Sequence, residues 1–314
     1  MYEDFFNLRE KPFSLNPDPA FLYLSPRHRT ALNVLEYGLA RQAGIVVLTG
    51  EVGSGKTTLI RHFLGQIGDD ATVGVITNTH PALGDLLKWI AVAFKLDFKG
   101  KESFELYQEF VEFVEAEFSA GRRTILIVDE AQHLDMETLE ELRMLSNVNV
   151  GKDIMLQTVL SGQPELLDTL KHPELRQFAQ RVLVDYHLGA LNFAETRAYI
   201  EHRIRVAGGD PNIFTLEAIG GIYYMSGGVP RLINSISDIA MVYAFADDSR
   251  QVELQTVLAI IEDRQSGVSR LSGGRAQDVE KESLMVAVSK FLSQVPKDPD
   301  ASRKRPLGAT RGRG

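Results

Sequence analysis

Gly50-Glu51-Val52-Gly53-Ser54-Gly55-Lys56-Thr57 carries glycines, a lysine and a hydroxyl at the spacing G-x-x-x-x-G-K-[ST]. Glycines let a loop curl its backbone N–H groups around a phosphate chain, and a helix starting at its end adds partial positive charge. Lys56 can reach the β- and γ-phosphates, and the Thr57 hydroxyl can ligate Mg²⁺. Gly50 to Thr58 is therefore the candidate nucleotide-binding set. A second pair, Asp129-Glu130, closes the apolar run Ile125-Leu126-Ile127-Val128. Asp129 suits the Mg²⁺ shell, and Glu130 suits a general base polarising the attacking water. A base beside the metal carboxylate favours hydrolysis over binding alone.

Four further polar candidates are weaker by themselves. Asn78 and Gln163 end apolar runs, where each could sense a γ-phosphate or simply cap a strand end. Arg176 and Arg181 lie in Glu174 to Arg181, and an Arg offered across a subunit interface can stabilise transition-state charge. A surface ion pair is the plain alternative. Arg231 follows Gly227-Gly228-Val229-Pro230 at the start of a helical segment. From there it could reach a nucleotide held between two domains, or it could be an exposed helix-start arginine.

These residues need strands and helices to position them. Ile45 to Thr49 is a short continuous apolar run directly before the glycine loop, the mark of a strand buried on both faces. Val73 to Thr77, Thr124 to Val128 and Ile154 to Ser161 read the same way, with Val182 to Val184 as a fifth strand. Helix-length segments at 83–94, 103–120 and 135–146 alternate with them, predicting βαβ units and a parallel sheet covered on both faces. Ser25-Pro26 reads as an N-cap with Pro at the first helical position. Ahead of it, Pro12, Pro17 and Pro19 exclude a regular helix. Phe5, Phe6, Phe13, Phe21 and Tyr23 there predict an extended arm packed across a domain surface. After residue 190 the strands stop, and 193–207, 215–225, 229–246 and 253–263 are helical by period. The expected organisation is an aromatic, Pro-rich arm over 1–27, an α/β core over 28–189 and an all-helical domain over 190–264. A polar, basic tail follows over 265–314, expected to be flexible, with helical spacing from Val279 to Val295.

Composition narrows the classes. The 314 residues are 44% hydrophobic and 24% charged, near the globular average, which excludes disorder or a fibre for the whole chain. There is no cysteine, hence no disulfide framework and no thiolate zinc site. No apolar run reaches the about 18 residues of a membrane span. The acidic start Met1 to Phe6 is unlike a basic secretory signal, so a cytoplasmic location is expected. Net charge is −8, but residues 265–314 hold ten Lys/Arg against five Asp/Glu. An acidic body with a basic end is not a general polyanion binder.

With these motifs in place, the chain resembles the AAA+ ATPases. More narrowly it is similar to the ExeA/GspA group tied to type II secretion, with relatives near exopolysaccharide and exosortase (PEP-CTERM) systems. The resemblance lies in Phe5 to Phe13, Pro17 to Ser25, His28 with Ala31-Leu32, Gly50 to Thr57 and Val128-Asp129-Glu130-Ala131-Gln132. It continues in Leu142 to Asn147, Gly162 to Leu166 and Gly228 to Asn234, and so covers residues 1 to about 262. It implies an AAA+ core of five parallel strands flanked by helices, with a small helical lid, binding ATP and Mg²⁺ and hydrolysing ATP. It also implies sensor 2 at Arg231, sensor 1 at or near Gln163, an arginine finger at Arg181 or Arg176, and a polar switch near Asn78. A ring or filament of copies follows if sites form between subunits. ExeA-type proteins continue into a transmembrane helix and a periplasmic peptidoglycan-binding part. Neither is found in these residues, so the expectation is an ATPase acting through a partner that recruits it to the inner membrane.

Three functions are compatible with the residues. The first is an ATP-driven motor or regulator of envelope export, acting on a protein client. The second is a DNA-associated ATPase like the TnsC/TniB transposition regulators, and the third a nucleotide-gated scaffold. Glu130 speaks against the third and the acidic body against the second, so the export reading leads.

Overall fold

The structure is a computed structural model describing residues 1–16, 18–77, 85–150, 153–265, 285–286, 288–290 and 293. Asn78, and the tail apart from Gln265 and the few residues at 285–293, lie outside the described residues. Five parallel strands form the central sheet: β1 (Ile45–Thr49), β2 (Ala71–Ile76), β3 (Arg123–Val128), β4 (Leu156–Gly162) and β5 (Val182–His187). Their spatial order is β2-β3-β4-β1-β5. The three middle strands are the apolar ones. Every residue of β1 and β4 is buried, as is β3 after Arg123. Edge strand β5 instead alternates half-buried and exposed positions, as an edge with one wet face must.

Alternate strand residues face opposite layers. Ile45, Val47, Leu126, Val128, Leu156 and Leu160 pack with α3 (Leu86–Ala93), α4 (Ser103–Ser119) and α5 (Met136–Leu145) through Ile90, Phe110, Val114 and Leu142. Val46, Leu48, Ile125, Ile127 and Val159 face α1 (Pro26–Ala40) and α2 (Lys56–Leu64) through Leu35, Leu39, Leu59 and Phe63. Helix starts follow local chemistry. Asp135 Oδ1 accepts from Thr138 N at 2.8 Å to start α5, and Ser25 caps α1 with Pro26 behind it. The short helices α6 (Pro164–Leu170) and α7 (Arg176–Ala179) lead from β4 to β5.

Among the described residues, four helices follow β5: α8 (Phe193–Val206), α9 (Leu216–Ser226), α10 (Pro230–Ala246) and α11 (Leu254–Gln265). Asn192 and Glu195 start α8 with reciprocal backbone bonds of 2.9 Å each, a capping box. Their shared core holds Ile200, Ile222, Ile233, Ile236 and Met241. The arm is not laid across a surface, as its composition suggested; it enters this core. Phe6, Phe13 and Phe21 are buried within it, Phe13 meets Phe214 edge-on at 5.7 Å, and Arg9 N donates to Ala207 O at 2.8 Å. A four-helix lid exposes too much apolar surface alone, and aromatics from the N-terminus fill it. Val288, one of the few described residues of the 279–295 stretch, is helical and buried in the same core.

Candidate functional site

The parallel register brings three strand ends together. Thr49 pairs with Gly162 and Val128 pairs with Leu160, so the loop after β1, Asp129 after β3 and the tip of β4 are neighbours. Ligands bind at the carboxyl ends of strands in open α/β sheets.

The glycine loop is closed and supported. Gly53 and Gly55 have φ of +81° and +103°, which L side chains rarely adopt. Lys56, buried at the start of α2, donates from Nζ to Gly50 O at 2.6 Å and Glu51 O at 3.0 Å. Burial pushes its ammonium below the usual lysine range, opposed by the charges of Glu130, Asp129 and Glu51. Thr57 Oγ1 donates to Asp129 Oδ2 at 2.8 Å, while Asp129 Oδ1 accepts from Ser161 Oγ at 2.7 Å and from Glu130 N at 3.1 Å. A hydroxyl and a carboxylate side by side under a phosphate loop form a hard oxygen donor set that suits Mg²⁺.

Lys56, Thr57, Thr58, Glu130, Gln163 and Arg231 line one cleft of about 360 Å³ between core and lid. Gln163 caps α6 without a side-chain capping bond. Arg231 is exposed, yet its backbone N donates to Gly53 O at 3.2 Å, so α10 starts directly on the loop. Arg176 and Arg181 do not line the cleft. They precede β5, whose Val182 pairs with Ile45 at the start of β1, about 15 Å of strand from the loop. Arg176 is exposed, and Arg181 donates to Asn147 Oδ1.

The cleft also has walls that motif spacing does not mark as site residues. His28, buried at the first turn of α1, sits under the loop with Nε2 3.2 Å from Ser54 O and Nδ1 2.8 Å from Ser25 Oγ. A carbonyl only accepts, so Nε2 carries the proton. Burial pushes the His28 pKa down, which keeps the ring neutral at pH 7. From the lid, buried Arg203 donates to Pro12 O and, at 2.9 Å, to Tyr199 OH, and lies 4.9 Å from the Phe21 ring. Tyr199 OH in turn donates to Asn234 Oδ1 at 2.8 Å. Arg203 thus pins the arm, whose Ser14, Asn16 and Asp18 line the cleft mouth. These residues are far apart in sequence; His28, Pro12, Asp18, Phe21 and Asn234 fall within the family stretches, whereas Ser14, Asn16, Tyr199 and Arg203 carried no signal.

A P-loop after β1, two carboxylates after β3, its second neighbour in the sheet, and a helical lid on the loop make an AAA+-like architecture. A family model described as an AAA domain matches residues 40–170. Over 293 residues it is 40% identical to General secretion pathway protein A of Aeromonas hydrophila, covering 93% of this chain and 52% of that relative. The chain thus spans about half the length of the curated relative it matches. Among solved structures it is similar to the Aeropyrum pernix ORC2 protein, with a TM-score of 0.60, 16% identity and coverage of 83% and 73% of the two chains. The Aeropyrum pernix ORC1 protein in complex with DNA gives 0.59, 18%, and 90% and 82%. The Thermotoga maritima RuvB Holliday junction branch migration motor gives 0.50, 18%, and 90% and 78%. At these identities the likeness speaks for the fold alone. No helix among the described residues is long and apolar enough to cross a membrane.

Proposed function

We propose that this chain is a Mg²⁺-dependent ATP hydrolase that works as a ring or filament and drives or regulates assembly of a secretion or exopolysaccharide export system. The observation that carries the hydrolase reading is the Thr57–Asp129 contact of 2.8 Å with Glu130 beside it on the cleft wall. Thr57 and Asp129 would hold Mg²⁺, which when bound neutralises charge on the phosphates. The loop N–H groups and Lys56 bind the phosphate chain, Glu130 takes a proton from the attacking water, and Gln163 senses the γ-phosphate. Arg231 couples the nucleotide to the lid.

Arg181 or Arg176, a strand's length from its own cleft, serves the neighbouring subunit's nucleotide, so turnover requires association. A protein client is favoured by the likeness to a general secretion pathway protein and by the acidic body of the chain. The proposed location is the cytoplasmic face of the inner membrane, reached through that client. Asn78, after β2, is retained as the polar switch. The test is steady-state ATPase activity across protein concentration, with and without DNA, at two salt concentrations. Specific activity that rises with concentration and ignores DNA is the expected result. Stimulation by DNA that salt removes would overturn the export reading in favour of a DNA-associated regulator.

A further inference from the structure

Gln132 ends the Asp129-Glu130-Ala131-Gln132 stretch, two residues past the carboxylate on the cleft wall. It lies on a single 3₁₀ turn, Ala131–His133, that follows β3. Glu130 opens that turn at φ +56°, a left-handed conformation unfavourable for a side chain of its size. Such a conformation persists when its surroundings over-determine it. The backbone of Glu130 is tied by its N–H to Asp129 Oδ1 at 3.1 Å. Its carboxylate is tied by Gln132, whose Nε2 donates to Glu130 Oε2 at 2.7 Å.

The other face of the same carboxamide reaches a different strand. Gln132 Oε1 accepts from Gln163 N at 3.0 Å, at the end of β4. A carboxamide offers a donor and an acceptor from separate atoms of one rigid plane, whereas a carboxylate only accepts and an ammonium only donates. The fit is close: a Cβ added at Gly162 would stand 3.1 Å from Gln132 Oε1 and 3.2 Å from Gln132 N. The glycine at the strand end lets the turn approach. The same strand tip holds Asp129 through Ser161. Gln132 itself does not line the cleft.

We propose that Gln132 is a positioning residue for the reaction. It holds the Glu130 carboxylate and ties its orientation to the tip of β4, so that base, metal carboxylate and γ-phosphate sensor keep one geometry. This rests on the reading of Glu130 as the general base. A misplacement of about 1 Å at a reacting group costs on the order of 10²-fold in rate. Because Gln132 makes no cleft wall, nucleotide affinity is expected to stay within about threefold of the wild type while kcat falls.

The experiment compares Gln132→Ala and Gln132→Glu with the wild type, measuring single-turnover ATP hydrolysis and the Kd of a fluorescent ADP analogue. Gln132→Glu keeps the volume and an acceptor for Gln163 N but replaces the donor to Glu130 by an anionic oxygen. A loss of about 10- to 100-fold in hydrolysis by both variants, at unchanged Kd, is expected. Placing Gln132→Ala in a Glu130→Gln background is expected to cost nothing more, because Gln132 acts through Glu130. Wild-type rates in Gln132→Glu, a Kd that rises in step with the rate loss, or full additivity in the double variant would each overturn the proposal. A wild-type chain that never hydrolyses ATP would remove the base assignment and this proposal with it. Hydrolysis lost in Glu130→Gln but kept in the Gln132 variants removes this proposal alone.

Discussion

Gly53 and Gly100 separate the cost of backbone strain from the cost of losing the lid's seat on the loop. Both have positive φ, +81° and +73°. A Cβ added at Gly100 meets nothing within 4 Å, whereas one added at Gly53 would stand 2.4 Å from Arg231 Cβ. Alanine at either position carries the left-handed penalty of about 1–2 kcal/mol. In a chain of this size that lowers Tm by roughly 2–8 °C. Gly53→Ala has a second cost. Arg231 Cβ belongs to the first turn of α10 and cannot swing aside like the tip of a long side chain. The helix start has to retreat by about 1 Å, at the expense of the 3.2 Å Arg231 N to Gly53 O bond, worth about 1 kcal/mol. The loop that aims its N–H groups at phosphate moves with it, and one charge-assisted bond lost there is worth about 1.5–3 kcal/mol. That is roughly a 10- to 100-fold weaker Kd. Thermal melting and titration with a fluorescent ADP analogue read the two costs separately. Gly100→Ala is expected to melt lower and bind like the wild type, and Gly53→Ala to melt lower and bind at least tenfold more weakly. Wild-type affinity in Gly53→Ala would refute the argument that α10 seats the loop.

Arg181→Ala is expected to abolish turnover at every protein concentration while ATP binding stays intact; unchanged turnover removes Arg181 as the arginine offered to a neighbour and leaves Arg176. Arg203→Leu strips Pro12 O and Tyr199 OH of their donor, a loss of about 2–4 kcal/mol, and should expose the arm near Ser14 to limited proteolysis; wild-type resistance would contradict the pinning. Glu117 is held by Arg122 at 2.6 and 2.7 Å and by Thr72, so its carboxyl falls to about 2 in the fold from an ordinary 4.5. The folded state then binds fewer protons than the unfolded chain between those values, and the stabilisation is full above pH 4.5 and lost as pH falls toward 2. The stability gap between wild type and Glu117→Gln should therefore narrow from pH 6 to pH 3 in denaturant melts, and a constant gap would count against the ion pair.

The sheet was legible because its middle strands are buried on both faces and so are continuous apolar runs. Where pairing rather than burial extends a strand, the run says less. β2 begins at Ala71, opposite Arg123, ahead of the apolar Val73, and β5 continues past Val184 to His187 as an alternating edge. Ile154 reads as the start of the fourth strand but pairs antiparallel with Asn149, and β4 begins at Leu156. Helices α6 and α7 are too short to show a period. In the site, Gly50 to Thr58 and Asp129-Glu130 are contiguous signals that a loop or strand end requires. Tyr199, Arg203 and Asn234 reach the cleft only because the lid folds over it, and the arm reaches it only because its phenylalanines belong to the lid's core. Gln132 was visible as part of a signature, but Gln163, whose N–H its carboxamide oxygen accepts, follows β4, and no spacing in one segment could name it.

The most direct test of the account is ATP hydrolysis by the wild type and Glu130→Gln at matched nucleotide occupancy, each with Mg²⁺ and with excess chelator. The account predicts Mg²⁺-dependent turnover by the wild type and, in Glu130→Gln, retained ATP binding with a rate lower by about 10²-fold or more. Equal rates in the two proteins, or turnover indifferent to the chelator, would contradict it.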